Sequence, residues 1–165
     1  MSPATRPPRS PEELALALSG PLAQWRRAVE TERDRVKDDL AEMVQRQADA
    51  ALLAVAARNV VRVATAVAAL RKDPTLDAAI VEVDTLVPSA RNVRALLEHL
   101  DEYSTRRKLR RSRKVTGGTR VSYERTTERY VLYVGDLAFD VDVAADATTV
   151  LGDVTAKAID RLAGR

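Results

Sequence analysis

From Pro21 to Asp73 the chain contains no further glycine or proline, and this uninterrupted stretch limits its folding options more than any other feature. Its apolar residues, among them Leu22, Trp25, Val29, Val36, Leu40, Met43, Val44, Leu52, Val55, Val60, Val63, Val67 and Leu70, recur mostly at steps of three and four. That period lines up one face of an α-helix and is incompatible with a strand. About 50 residues is longer than an ordinary helix, so the pattern predicts either two helices meeting near residues 45–50 or one long helix that bends. The two halves differ in character. Residues 26–39 are mostly charged, whereas 50–70 are mostly Ala, Val and Leu, which predicts deeper burial for the second half. Sustained coiled-coil heptads are not expected, because Glu32 and Asp39 interrupt the stripe.

The flanks add punctuation. Four of the seven prolines (Pro3, Pro7, Pro8, Pro11) fall in residues 1–11, which predicts a disordered tail. Ser10 before Pro11, Glu12 and Glu13 forms a helix-start signature, and the short segment it opens is expected to stop at Gly20-Pro21. Asp73-Pro74 is a stop and restart, giving a helix over residues 75–87 with Leu76, Ala79, Ile80, Val83 and Leu86 inward. Pro88-Ser89 divides it from a further helix over about 90–106, with Val93, Leu96, Leu97 and Leu100 as its stripe. The period then changes. Residues 129–134 (RYVLYV) and 137–143 (LAFDVDV) are β-rich, and Gly135-Asp136 between them suits a tight hairpin. Asp146 to Thr149 offer caps for a last helix that ends near Gly164. The expected fold is mostly α: a single helical domain over residues 12–165 with one β-hairpin before the C-terminal helix.

Composition narrows the chemistry. The 165 residues provide one core, and 45% hydrophobic with 31% charged residues is a globular mixture. No run approaches 18 apolar residues and the N-terminus has no apolar signal segment, so a cytoplasmic protein with no membrane association is expected. No cysteine means no disulfide, thiolate metal site or cysteine nucleophile, and a single histidine excludes a multi-histidine metal site. No metal and no cofactor are expected. No glycine-rich phosphate loop, calcium loop or Ser-His-Asp arrangement is present.

The stretch RNVRALLEHLDEY, residues 91–103, holds the only histidine five positions after an arginine, an Arg-x4-His pair at Arg94 and His99. In this string the sequence resembles the HEPN superfamily, helical nucleotide- and RNA-associated domains whose members often carry such a pair on a late core helix. The resemblance spans roughly residues 50–163, leaving 12–49 as an N-terminal helical extension. It implies a component of a bacterial defence or toxin–antitoxin type system, working as a homodimer with RNA as substrate or ligand. It departs from the usual catalytic pattern at Ala95, where a polar residue often follows the motif arginine; the nearest asparagine is Asn92.

At about 100° per residue, Arg94 and His99 lie about 140° apart and cannot meet within one straight helix, whereas Asn92 lies about 20° from His99. A composite site across a two-fold interface, which the resemblance implies, would bring Arg94 of one copy towards His99 of the other. A metal-independent ribonuclease needs a proton-exchanging group near neutral pKa, supplied by His99, and a cation for phosphate oxygens, supplied by Arg94. The plain alternative is a boundary histidine bonded to a carboxylate or carbonyl, in a non-catalytic module that binds RNA or docks onto a larger effector or cognate inhibitor. Ala95 favours that alternative.

Arg106, Arg107, Lys108, Arg110, Arg111, Arg113 and Lys114 follow, with no acidic residue between Glu102 and Glu124. Such a block can neutralise several phosphates, which makes RNA the expected partner; a solvated loop or a dock for an acidic protein is the alternative. Tyr103 and Tyr123 flank it. Trp25 is either an interface anchor or ordinary core, and Tyr103 is a second candidate interface residue. Asp140 and Asp142, alternating with Phe139, Val141 and Val143, are expected on the outer face of a strand.

Overall fold

The structure is a computed structural model that describes residues 10–38, 40–87, 119–135 and 137–165. Among these are four helices and three strands: α1 (Pro11–Lys37), α2 (Met43–Leu70), α3 (Pro74–Leu86), β1 (Thr119–Glu124), β2 (Arg129–Val134), β3 (Leu137–Asp140) and α4 (Val141–Leu162). The fold is therefore mostly helical with a small antiparallel sheet before the last helix. The helix expected over about 90–106 and the basic block after it lie outside the described residues.

The start of α1 follows the sequence signature: the Ser10 hydroxyl accepts from the Glu13 N–H and the Glu13 carboxylate accepts from the Ser10 N–H, with Pro11 at the first position. The helix does not stop at Gly20-Pro21. It runs on to Lys37 because Ala15, Leu22, Val29 and Val36, spaced by seven, form one buried stripe on both sides of the proline. An internal proline costs about 3 kcal/mol, whereas each buried Leu or Val contributes roughly 1.5–3 kcal/mol, so the stripe wins. Pro21 and Ala17, whose carbonyl loses its helical donor, both face solvent, so hydration replaces the lost bond.

Two helices, not one, fill residues 21–73, and the break lies at 38–42 rather than 45–50. No glycine or proline makes it. The Asp38 side chain accepts from the Leu40 N–H at 3.0 Å, its carbonyl accepts from the Ala41 N–H at 3.0 Å, and Arg46 reaches back to the Asp38 and Ala41 carbonyls. A short polar side chain thus stands in for the backbone partner that a turn lacks. Beyond it α2 carries its own seven-residue stripes, small at Ala50, Ala57 and Ala64 and larger at Leu53, Val60 and Val67, all buried. Only α2 keeps both rows apolar: in α1 the second row, Leu18 and Trp25, meets the buried Glu32, and the helix ends at Lys37, so heptads do not run unbroken through residues 21–70, as expected. By length and composition α2 could cross a bilayer (mean hydropathy 1.6), but 56% of its apolar window is buried inside the protein, mostly against α1 and α4, as in a core helix.

Asp73 caps α3, accepting from the Thr75 and Leu76 N–H groups, and Pro74 opens it as the sequence predicts. The sheet has order β1-β2-β3, all antiparallel. β1 was not expected as a strand; its alternation in TRVSYE pairs Val121 with Leu132 and Tyr123 with Tyr130. Val134 opposite Leu137 leaves the expected two-residue turn, and Gly135 has the positive φ (+59°) that such a turn requires.

The last strand is shorter than its alternation suggests. β3 ends at Asp140, whose carboxylate accepts from the Val143 N–H and caps α4 six residues before the expected start. Val141, Ala144, Ala145, Thr148, Leu151, Thr155, Ala158 and Ile159 then face the core, and α4 packs against α1, α2 and α3. Asp142 is consequently not on an exposed strand face but buried in the first turn of a helix.

Candidate nucleic-acid interface

Arg94, His99, Asn92, Tyr103 and the cations Arg106, Arg107, Lys108, Arg110, Arg111, Arg113 and Lys114 all fall within 88–118, outside the described residues. Trp25 is half-buried and packs against the core. Among the described residues no group of three or more His, Asp or Glu side chains is placed to hold a metal.

The described polar chemistry concentrates on α1. Towards α4, Arg33 bridges Asp142 at 3.0 Å and Asp146 at 2.8 Å, Lys37 contacts Asp142 at 2.5 Å, and Arg26 pairs with Asp153. Burial alone would raise the Asp142 pKa, but the hydrogen bonds and charges of Lys37 and Arg33 outweigh it and hold the carboxyl below its usual value. Towards α2, Glu32 is buried opposite Asp49, with Arg35 at 3.1 Å on the solvent side. Burial raises the Glu32 pKa, the nearby Asp49 adds to that, and Arg35 opposes it only in part. One oxygen each of Glu32, Asp49 and Asp142 is buried without a hydrogen-bond partner.

At the corner where the α1–α2 turn meets the sheet, Arg46 is fixed by four contacts. Its guanidinium donates to the Asp38 and Ala41 carbonyls and to the Tyr130 hydroxyl at 2.7 Å, and it lies 5.2 Å from the Tyr130 ring centre. Tyr130 in turn stacks at a 53° tilt on Tyr123, with centroids 5.0 Å apart. Ala41, Met43, Arg46, Val121, Tyr123 and Tyr130 line a cavity of about 320 Å³ there. On the other sheet face Arg120 lies 4.8 Å over Tyr133, whose hydroxyl donates to Glu124. That bond to a carboxylate keeps the Tyr133 proton on and raises its pKa. Arg46 and Tyr130 had no recognisable sequence signal; Tyr123 was visible only as a flank of the basic block.

Two other cavities differ in chemistry. One of about 260 Å³ lies between the end of α2, the start of α3 and the end of α4, with Arg71, Lys72 and Arg161 around it, and Arg161 is engaged by Asp73. The other, about 210 Å³ between α3 and α4, is apolar with Glu82 and Asp146 in its lining. No family model, curated protein or solved structure matches the chain.

Proposed function

We propose that the chain is a HEPN-like, RNA-directed component of a bacterial defence or toxin–antitoxin type system, cytoplasmic and homodimeric, that cleaves RNA without a metal. The observation that carries the RNA reading is charge segregation. Residues 105–129 hold ten basic and two acidic residues, a net +8 in a chain of net +3, so the remainder is net −5. A cationic segment set against an otherwise acidic body favours a polyanion at that segment and not elsewhere. The Arg94–His99 pair just upstream adds the chemistry: His99 exchanges the proton of the 2′-hydroxyl or leaving oxygen, and Arg94 stabilises the phosphate charge of the transition state. Dimerisation supplies the second copy that the 140° separation requires.

A second reading, a non-catalytic module that binds RNA or docks onto a larger effector, is favoured by Ala95 after the motif arginine. Incubation of mixed single-stranded RNA with wild type and His99→Ala in the presence of a chelator separates the two. Cleavage by wild type that falls about 10² to 10⁴-fold in the variant is the expected result. Cleavage that His99→Ala leaves intact defeats the mechanism, and RNA binding without wild-type cleavage transfers the case to the module. Light scattering should give a dimer; a strict monomer removes the composite site.

A further inference from the structure

We propose that the corner cavity between the α1–α2 turn and the sheet is a nucleobase-stacking site for single-stranded RNA, with the Tyr123 ring as its platform. The inference rests on the RNA reading above and extends it from phosphate charge to a specific contact with a base.

Three features of the corner support it. First, Tyr123 is an aromatic side chain held in place yet 48% exposed. Its register partner Tyr130 occupies part of its ring, and Tyr130 is itself immobilised by Arg46, which the Asp38 and Ala41 carbonyls hold. A ring on a rigid support loses little entropy when a base stacks on it. Second, the cavity wall is largely apolar and uncovered: Ala41, Met43 and Val121 line it beside the two tyrosines, and Met43 is 69% exposed. A flat heterocycle replaces water there at no cost in polar partners. Third, the charge fits a nucleic acid. Arg46 lies in the cavity wall, Arg125 in the β1–β2 turn has no ion-pair partner among the described residues, and β1 begins five residues after Lys114, the last cation of the basic block. Glu124, the acidic neighbour of Tyr123, is engaged by Tyr133 on the opposite sheet face.

This combination of stacking surface and backbone-tracking cations is how single strands are held with little sequence preference. Neither of the two cavities described above has it: no aromatic residue lines the one between α2, α3 and α4 or the α3–α4 groove.

The test compares a mixed-sequence single-stranded RNA 10-mer with an abasic ribose-phosphate strand of equal length and charge, each carrying a terminal fluorophore read by anisotropy at low salt. Tyr123→Ala should weaken binding of the base-bearing strand by about 5- to 150-fold and leave the abasic strand unchanged. Tyr123→Phe should bind as wild type, since the ring and not the hydroxyl does the stacking, and circular dichroism should show the fold intact in both. Replacing Arg110, Arg111 and Arg113 with Gln should weaken both strands equally. If Tyr123→Ala changes neither strand, or both alike, the stacking site is refuted while the RNA reading stands. If wild type binds neither strand, the RNA reading itself fails and the site with it. A Tyr123→Ala protein that changes its oligomeric state in light scattering would make this face a contact between copies instead, which also refutes the proposal.

Discussion

The two sides of α1 are built on opposite electrostatic principles. Towards α4 it sends cations, Arg26, Arg33 and Lys37, onto the carboxylates of Asp153, Asp146 and Asp142. Towards α2 it joins an apolar heptad seam with a like-charged pair, Glu32 facing Asp49. Opposite charges across the first contact stabilise the ionised state, and like charges across the second oppose it. Two neighbours in one turn, Glu32 and Arg33, therefore do different jobs according to the helix each one meets. The charge of residues 26–39, which in the sequence is one mostly charged run, is divided by geometry into a clamp and a repulsion.

The apolar part of the α2 seam sets the largest effect. Leu53 is fully buried in the larger stripe of α2, so Leu53→Ala should lose about 3 kcal/mol, with the usual range of about 2–5. For a chain of this size that lowers the melting temperature by roughly 6–12 °C. Thermal denaturation by circular dichroism measures it. A loss below 1 kcal/mol would show that the seam does not dominate α1–α2 packing.

Leu53 also marks how far the sequence could be read. Helix periodicity within the described residues, the Ser10 cap, the Asp73-Pro74 restart and the Gly135 turn are local codes in which each residue acts on its own backbone, and the structure follows them. The path through Pro21, the break at Asp38, the early start of α4 at Val141 and the strand β1 were not legible. Each depends on burial against an element distant in sequence, or on a side chain such as Arg46 reaching eight residues back. Asp142 shows the cost: alternation in LAFDVDV is compatible with a strand, and only the Asp140 cap and the cations of α1 decide for a helix. Of the candidate site, Arg94, His99 and the basic block came from a motif and a composition and lie outside the described residues. The Arg46–Tyr130–Tyr123 corner needed the fold to assemble it.

The clamp comes next in size. Asp142→Asn removes the negative charge shared by Arg33 and Lys37, both partly exposed, so the cost should be about 1–2 kcal/mol at neutral pH. The sign of its pH dependence follows from the lowered folded pKa. Asp142 contributes fully above the unfolded carboxylate value of about 3.9, and the contribution disappears as pH falls through the lower folded value. Wild type and variant should therefore converge in urea titrations as pH is reduced through the acid range. A difference that stays constant with pH would mean that the loss is one of packing.

The repulsion gives a smaller effect of opposite sign. Glu32 has a raised folded pKa, so its contribution is intact below the unfolded value and is lost as pH rises through the folded one. Glu32→Gln removes the charge, keeps the shape and offers an N–H to Asp49, whose second oxygen lacks a partner. It should stabilise by about 1 kcal/mol at pH 7 and by progressively less as pH drops into the carboxylate range. Destabilisation at every pH would show that the bond with Arg35 outweighs the repulsion from Asp49.

The smallest effect tests whether the clamp imposes a requirement on the helix it grips. Gly152 is buried within α4, where glycine costs about 0.8–1 kcal/mol relative to alanine, yet a Cβ built there would come within 2.7 Å of Arg26 Cδ and 2.8 Å of its Nε. The obstacle is the side chain of Arg26 on its way to Asp153, not backbone, and Arg26 is 28% exposed, so it can swing aside. Doing so forfeits a surface ion pair worth about 0.2–1 kcal/mol. Gain and loss nearly cancel, and Gly152→Ala alone should change stability by less than about 0.5 kcal/mol. In an Arg26→Ala background the obstacle is gone, and the same substitution should stabilise by nearly the full helix-propensity difference. A double-mutant cycle in urea reads the two values. If Gly152→Ala gains nothing even without the Arg26 side chain, the close approach of α1 to α4 is set by the seam, and the ion pair merely occupies the space it leaves.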